Sequence, residues 1–462
     1  MEELEMIVMG EIRSRSPNYA ILDIRTSHEE IPCRLPIKFG RSVVTKALVL
    51  SVEVDVENRA GDAATGRGSM GLGSPWSFPS PAVPDEQRFA AMKQVGERYA
   101  ALLGRYTAAA HPIDIWLELE PELHRIARQV GDELELAEPV PKLCAHVCAS
   151  PVDAALHDAF GKVNGICAYD GYGPEFMERD LSAYLGPGFE GRYIADYLEP
   201  SYRPEIEAFH MVGGLDKLTQ DELTPDDPQD GQPVSLDQWI ERDGVFCLKL
   251  KLNGRDIEWD LARTRDVAQV ATEALARKGI DELHLTVDFN EVCEAPEYVV
   301  EYLDRLREAQ PRSYDALLYV EQPVARDLAS HRFRMDDAAA RKPILVDESL
   351  CSPDDIEVAR ELGWSGIALK ACKGQSATLL CLCRAVDSGM VYAVQDSCNN
   401  GYPMIQSAGL TARTRPLKGF EYNSRQFRPA GNEPFMDEYR TLFQVRDGFV
   451  RTECIKPLGL GY

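Results

Sequence analysis

The chain has 462 residues, 44% hydrophobic and 27% charged, which suits a folded globular protein large enough for a barrel-sized core and one smaller companion domain. Fifty basic against 75 acidic side chains leave a formal charge of −25, so the field of the protein repels phosphate backbones and anionic membrane surfaces and argues against nucleic acid as a partner. No apolar run approaches the ~20 residues needed to cross a bilayer. The opening MEELEMIVMGEIRSRS lacks the cationic start and apolar core of a signal peptide, so a cytoplasmic protein with its twelve scattered cysteines reduced is expected.

Residues 19–25 and the alternating stretch 48–56 predict strands of an antiparallel sheet. GRGSMG, with Gly66, Gly68 and Gly71, matches the dinucleotide fingerprint, but Gly73, Pro75, Pro79 and Pro81 forbid the helix that must follow it. A flexible loop is expected there instead. Two helices follow, in DEQRFAAMKQVGERYAALLG and PELHRIARQVGDEL. CAHVC places Cys144 and Cys148 around His146 as a conceivable metal half-site, but no second paired motif accompanies it and zinc is not expected. Pro151 opens a helix that Gly165 ends, and residues 166–203 read as irregular.

EIEAFHMVGG then predicts a first barrel strand ending near His210, followed by a solvated acidic loop at 219–233. Five short apolar runs come next, each ending in a charge: CLKLKLNG with Lys249 and Lys251, LTVDFNE with Asp288, LYVEQP with Glu321, ILVDES with Asp347 and IALKACKG with Lys370. From Lys251 the steps are 37, 33, 26 and 23 residues, the length of one strand, loop and helix, which predicts a β/α barrel. MVYAVQDSC and GFEYNSRQF are its later strands, and the tail is expected as an edge strand or loop on the cap. Residues 1–140, completed by about 430–462, form an α+β capping domain, and 141–429 the barrel.

Barrel active sites lie at the carboxyl ends of the strands, so these charged groups should converge. Asp288, Glu321 and Asp347 are hard anionic oxygens suited to an octahedral Mg²⁺, with Asn290 and Glu348 orienting them. Lys249 and Lys251, two apart on a strand, project on one face; close like charge and burial should depress one toward the range of a general base. Lys373 reads as a loop cation. His210 is a candidate substrate contact. No G-x-S-x-G elbow is present.

The KLK, DFN, EQP, DES and ALKACKG strand ends resemble, in order and approximate spacing, the enolase superfamily, specifically its mandelate racemase and muconate lactonizing enzyme branch. AALHDAFGKVNG, RLPIKFG, GRG and the closing DGFV…PLGLGY extend the resemblance over most of the chain. It implies an α/β fold, a modified TIM barrel (β/α)₇β with an α+β capping domain. It also implies Mg²⁺ on Asp288, Glu321 and Asp347, acid/base lysines Lys251 and Lys370 on opposite faces of the substrate, and Lys249 tuning Lys251 and touching the substrate carboxylate.

Two stretches depart from the family pattern. Where dipeptide epimerases carry Asp-x-Asp for the substrate ammonium, this chain reads Glu421-Tyr422-Asn423, which weakens an amino substrate; Glu421 and Asn423 become candidate substrate contacts. QDSCNNGY is unusual, making Gln395, Asp396 and Asn399 candidate specificity residues. No histidine follows His331, which disfavours the histidine-dependent acid-sugar dehydratases. In the cap, Arg34, Lys38, Arg41, Arg67 and Trp76 are candidates to face the pocket.

The leading expectation is a Mg²⁺-dependent racemase or epimerase of a small carboxylate, an amino-acid derivative, dipeptide or hydroxy acid, acting as a homo-oligomer. The competing readings are a dehydratase, lyase or cycloisomerase using one lysine as base, and a non-catalytic carboxylate-binding or scaffold barrel.

Overall fold

The structure is a computed structural model describing residues 19–39 and 42–462. Strands β1 (Tyr19–Phe39), β2 (Ser42–Asn58) and β3 (Ala63–Gly71) form an antiparallel sheet in that order. Alternation along β2 turns Leu50, Val52, Val54 and Val56 into the cap core, as a half-buried strand requires. GRGSMG is not a flexible loop but most of β3. A Cβ on Gly66 would stand 2.1 Å from the Ala155 carbonyl oxygen and one on Gly68 2.1 Å from that of Pro151, so the glycines let the sheet lie directly on a helix backbone. That tertiary contact gives the strand a partner that the turn-like composition does not advertise.

Three helices cover the sheet: α1 (Asp85–Leu103), α2 (Pro112–Glu133) and α3 (Lys142–Val163). Both α2 and α3 start about nine residues earlier than expected and run through Pro121 and Pro151. Pro151 therefore does not open α3. Nearly all of α3 is buried, and its Leu143, Val147, Val152 and Phe160 share the cap core.

After the irregular stretch the second core is built by eight parallel strands: β4 (Glu205–Val212), β5 (Cys247–Lys251), β6 (His284–Asp288), β7 (Leu317–Glu321), β8 (Ile344–Val346), β9 (Gly366–Lys370), β10 (Val391–Gln395) and β11 (Phe420–Glu421). They pair in sequence order, and β11 returns to β4 to close the barrel. The tail departs from the expected course: β12 (Phe449–Arg451) pairs antiparallel with β4, at the barrel rather than the cap. Only its last residues reach the cap, where Leu460 N–H donates to Asp158 and the Tyr462 hydroxyl to the Arg67 carbonyl. Among the described residues no helix is long and apolar enough to cross a membrane.

Candidate active site at the barrel mouth

Parallel register sets the site. Lys251 pairs with Asp288 and Asp288 with Glu321 on successive strands, while Lys370 pairs with Gln395, so these residues end their strands at matching levels. In the closed ring of eight, β5 and β9 are four strands apart, so Lys251 and Lys370 stand across the barrel from each other. Strands β6, β7 and β8 span one side between them with Asp288, Glu321 and, just beyond β8, Asp347. The other side carries Gln395 and Glu421.

Each carboxylate is held by an ammonium group. Lys249, 1% exposed, places Nζ 2.7 Å from Glu321, 2.5 Å from Glu421 and 3.2 Å from Asp288. Lys251 donates to Asp288 at 2.5 Å and Lys370 to Asp347 at 2.6 Å. Lys373 is no loop cation: it is buried and donates to the Asp347 carboxylate at 3.1 Å and to its carbonyl at 2.6 Å. Nothing in ALKACKG separates Lys373 from a surface lysine until the short helical turn at Ala371–Lys373 folds it inward.

The lysine pair shares a face, as its spacing predicts, but the expected depression is reversed at Lys249. Burial pulls this ammonium down, yet Glu321, Glu421 and Asp288 outweigh it and hold the group well above the usual lysine range. Lys370 is likewise held up against burial, by Asp347 and Glu321. The carboxylates answer unequally. Burial raises Asp288, but Lys251 and Lys249 bring it down to about 2, and Lys370 with Lys373 keeps Asp347 well below the carboxylate range against the same penalty. Burial and the Asp288 charge push Glu321 up. Burial, with Asp347, Glu291 and Asp288 nearby, pushes Glu348 up to about 8.

Asn290 and Glu348 complete the rim. The Asn290 amide donates at 3.2 Å to both Asp288 and Glu348, the Trp76 indole N–H donates to Glu348 at 3.0 Å, and Glu348 Oε2 is buried without a hydrogen-bond partner. This donor set suits a hard divalent cation: crowded anionic oxygens raise one another's protonation, one buried oxygen is unsatisfied, and a cation relieves both. In this conformation the lysines stand between the carboxylates. Among the described residues, the oxygens of Asp288, Glu321 and Asp347 are not all within 4.8 Å of one another.

Above the lysines lies a cavity of about 370 Å³ lined by Lys249, Lys251, Lys370, Asn290, Asp396, Glu421 and Asn423, with Ile37, Val43, Leu72 and Phe89 supplying an apolar roof from the cap. The ammonium groups that face it are each already paired with a carboxylate. Trp76 does face the pocket, its ring 4.6 Å from Lys370 Nζ. Arg34 instead pairs with Asp230 and Arg67 with Glu53, while Arg41 and the Lys38 side chain lie outside the described residues. His210 does not line this cavity; its ring accepts from Arg425 and contacts Gln426 and Trp239 in the barrel wall. Gln395 sits below the cavity, donating to Glu321 at 2.5 Å. Glu421 is occupied by Lys249 and by the Asn423 amide at 3.1 Å.

Asp396 accepts the backbone N–H groups of Asn399 and Asn423, yet burial pushes its carboxyl up to about 7. An unfolded aspartate titrates near about 4. The folded chain therefore binds the extra proton between these values, and this contribution to stability is present below pH ~4 and lost as pH rises through about 7. Urea midpoints measured from pH 4 to 8 should fall less steeply with rising pH in Asp396→Asn than in the wild type; equal slopes would remove Asp396 from the account.

Residues 234–457 match the family model described as enolase C-terminal domain-like. No curated protein matches the sequence. Among solved structures, an enolase from Bradyrhizobium complexed with magnesium and mandelic acid is 17% identical, with 96% of this chain and 95% of that chain covered and a TM-score of 0.60. A dipeptide epimerase from Enterococcus faecalis V583 with Mg and L-Leu-L-Tyr is 16% identical over 96% and 99%, TM-score 0.59. A muconate lactonizing enzyme from Pseudomonas fluorescens with muconolactone is 18% identical over 96% of each chain, TM-score 0.59. Residues 234–457 are thus enolase C-terminal domain-like, and the chain as a whole has the fold of these mandelate- and muconolactone-bound structures.

Proposed function

We propose that the protein is a Mg²⁺-dependent racemase or epimerase that moves the proton alpha to the carboxylate of a small acid. The observation that carries this reading is the placement of Lys251 and Lys370 across one cavity, with the carboxylates of three adjoining strands between them. A proton alpha to a carboxylate is very weakly acidic, because its removal adds a second negative charge to the same group. Asp288, Glu321 and Asp347 would hold the cation, turning toward it from their lysines, with Asn290 and Glu348 steadying them. Bound there, Mg²⁺ supplies Lewis-acid stabilisation of the growing charge, worth several kcal/mol.

The chain's own groups do the rest. Lys251, the least buried of the four site lysines with 14% of its side chain exposed, takes or returns the proton on one face, and Lys370 serves the other. A positioned base of this kind contributes roughly 3 to 5 kcal/mol. Lys249 keeps its proton, held by three carboxylates, and serves as a fixed positive charge for the substrate acid group. The cap roof favours an apolar substituent, and the engagement of Glu421 by Lys249 leaves less for a substrate ammonium, so an N-acyl amino acid or hydroxy acid fits better than a free dipeptide amine.

The test is a panel of N-acyl amino acids, hydroxy acids, dipeptides and acid sugars incubated with protein and Mg²⁺ in D₂O. Recovered substrate with alpha deuterium and mixed configuration is the expected result. An unsaturated or keto product would replace epimerisation by elimination, and no exchange with any class that binds would leave a binding barrel.

A further inference from the structure

A second cluster lies in the cap, away from the barrel mouth. Glu120 and His124 are one turn apart on α2 and so share a face, and His146 projects from α3 toward them. The ligand atoms of all three lie within 4.8 Å of one another. His146 Nε2 is 3.3 Å and His124 Nε2 3.7 Å from the same Glu120 Oε1. Tetrahedral zinc with bonds of about 2.0–2.1 Å spaces neighbouring ligand atoms by about 3.3 Å, close to these separations.

The imidazole of His146 supplies the independent observation. It is 0% exposed, its Nδ1 has no hydrogen-bond partner, and its Nε2 faces the Glu120 carboxylate at 3.3 Å. A fully buried imidazole with an unpartnered nitrogen is costly unless something ligates the ring. Trp116 packs edge-on against it and offers no acceptor. The nearby cation, Lys142, is turned away, its Nζ donating to Ser352 at 2.9 Å. Cys144 and Cys148, which suggest a half-site in the sequence, are buried in α3 and absent from the cluster. Glu120 and His124 keep about a quarter of their side chains exposed, which leaves an entry path and room for a water as fourth ligand.

We infer that Glu120, His124 and His146 form a zinc-class transition-metal site pinning α2 to α3. Two imidazole nitrogens and one carboxylate oxygen prefer such an ion to Mg²⁺, which takes oxygen donors. The pin has a route to the barrel mouth, because Val147, next to His146, lines the cavity.

Cobalt(II) added to the tag-free, full-length protein tests this. The wild type should bind one equivalent with the strong visible absorption of a four-coordinate nitrogen-containing site, and zinc should displace it. His124→Gln and Glu120→Gln, both on the accessible side of the site, should weaken cobalt at least about 100-fold while leaving far-ultraviolet circular dichroism unchanged. A wild type without the visible bands, or variants that keep them at wild-type affinity, would overturn the assignment. Asp347→Asn, in the barrel, should leave the cobalt bands intact; their loss in that variant would move the ion to the barrel site and also overturn it.

Discussion

Lys251→Ala and Lys370→Ala should each lower alpha-proton exchange by about 10²–10⁴, but with opposite stereochemical preference. The two ammonium groups stand four strands apart in a closed ring of eight, so each faces one side of a substrate lying between them. A variant without Lys251 keeps the base on the Lys370 side and should still exchange the proton of the one enantiomer that points there, without converting it. The reciprocal variant should exchange only the other hand. Measuring deuterium incorporation separately for each enantiomer reads this directly. If both variants lose exchange of the same enantiomer and keep the other, one lysine is a base and its counterpart an electrostatic clamp, and the racemase reading gives way to elimination or cycloisomerisation. Exchange at wild-type rate in both would sink the catalytic role of the pair.

Lys249→Met should cost about 3–5 kcal/mol of stability, the penalty expected when one partner of a buried ionic cluster is removed. The ammonium of Lys249 is shared by Glu321, Glu421 and Asp288, all buried, and Met has nothing to offer three carboxylates. Lys251→Ala should cost much less, since Lys251 is partly exposed and, among the described residues, meets only Asp288 of the acidic groups. Urea denaturation of the two variants gives the comparison. Millimolar Mg²⁺ should restore part of the Lys249→Met loss, because a cation on the same carboxylates replaces the missing charge. An equal, small loss in both variants would show that the carboxylates relax into water and that Lys249 holds nothing together.

Most of the barrel is legible in the residues because burial on both faces forces a strand to be a short apolar run, and the charge that ends each run marks the mouth. CLKLK, LTVD, LYVE, ILVD and IALK could hardly be read otherwise. Legibility fails where a segment's partner is distant in sequence. Gly66 and Gly68 look like turn residues, yet they allow β3 to lie on the backbone of α3. Pro121 and Pro151 look like helix starts, yet buried helices carry on through them. Lys373 looks solvated until it is found inside, bonded to Asp347. His146 looks like the centre of a Cys-His-Cys motif, whereas Glu120 and His124 of the preceding helix are what it faces.

The order and spacing of apolar runs and charged ends, local properties of the chain, determined by themselves the barrel and the placing of Lys249, Lys251, Lys370, Asp288, Glu321 and Asp347 at its strand ends. Which charge meets which was decided only by the tertiary structure. Pairing in a buried site depends on distances between strands far apart in sequence, and those distances set whether a lysine is pushed toward a free base or locked as an ammonium. Helices α2 and α3 show the same division, since the residue types of Glu120, His124 and His146 are plain in the chain but their convergence exists only after the helices pack.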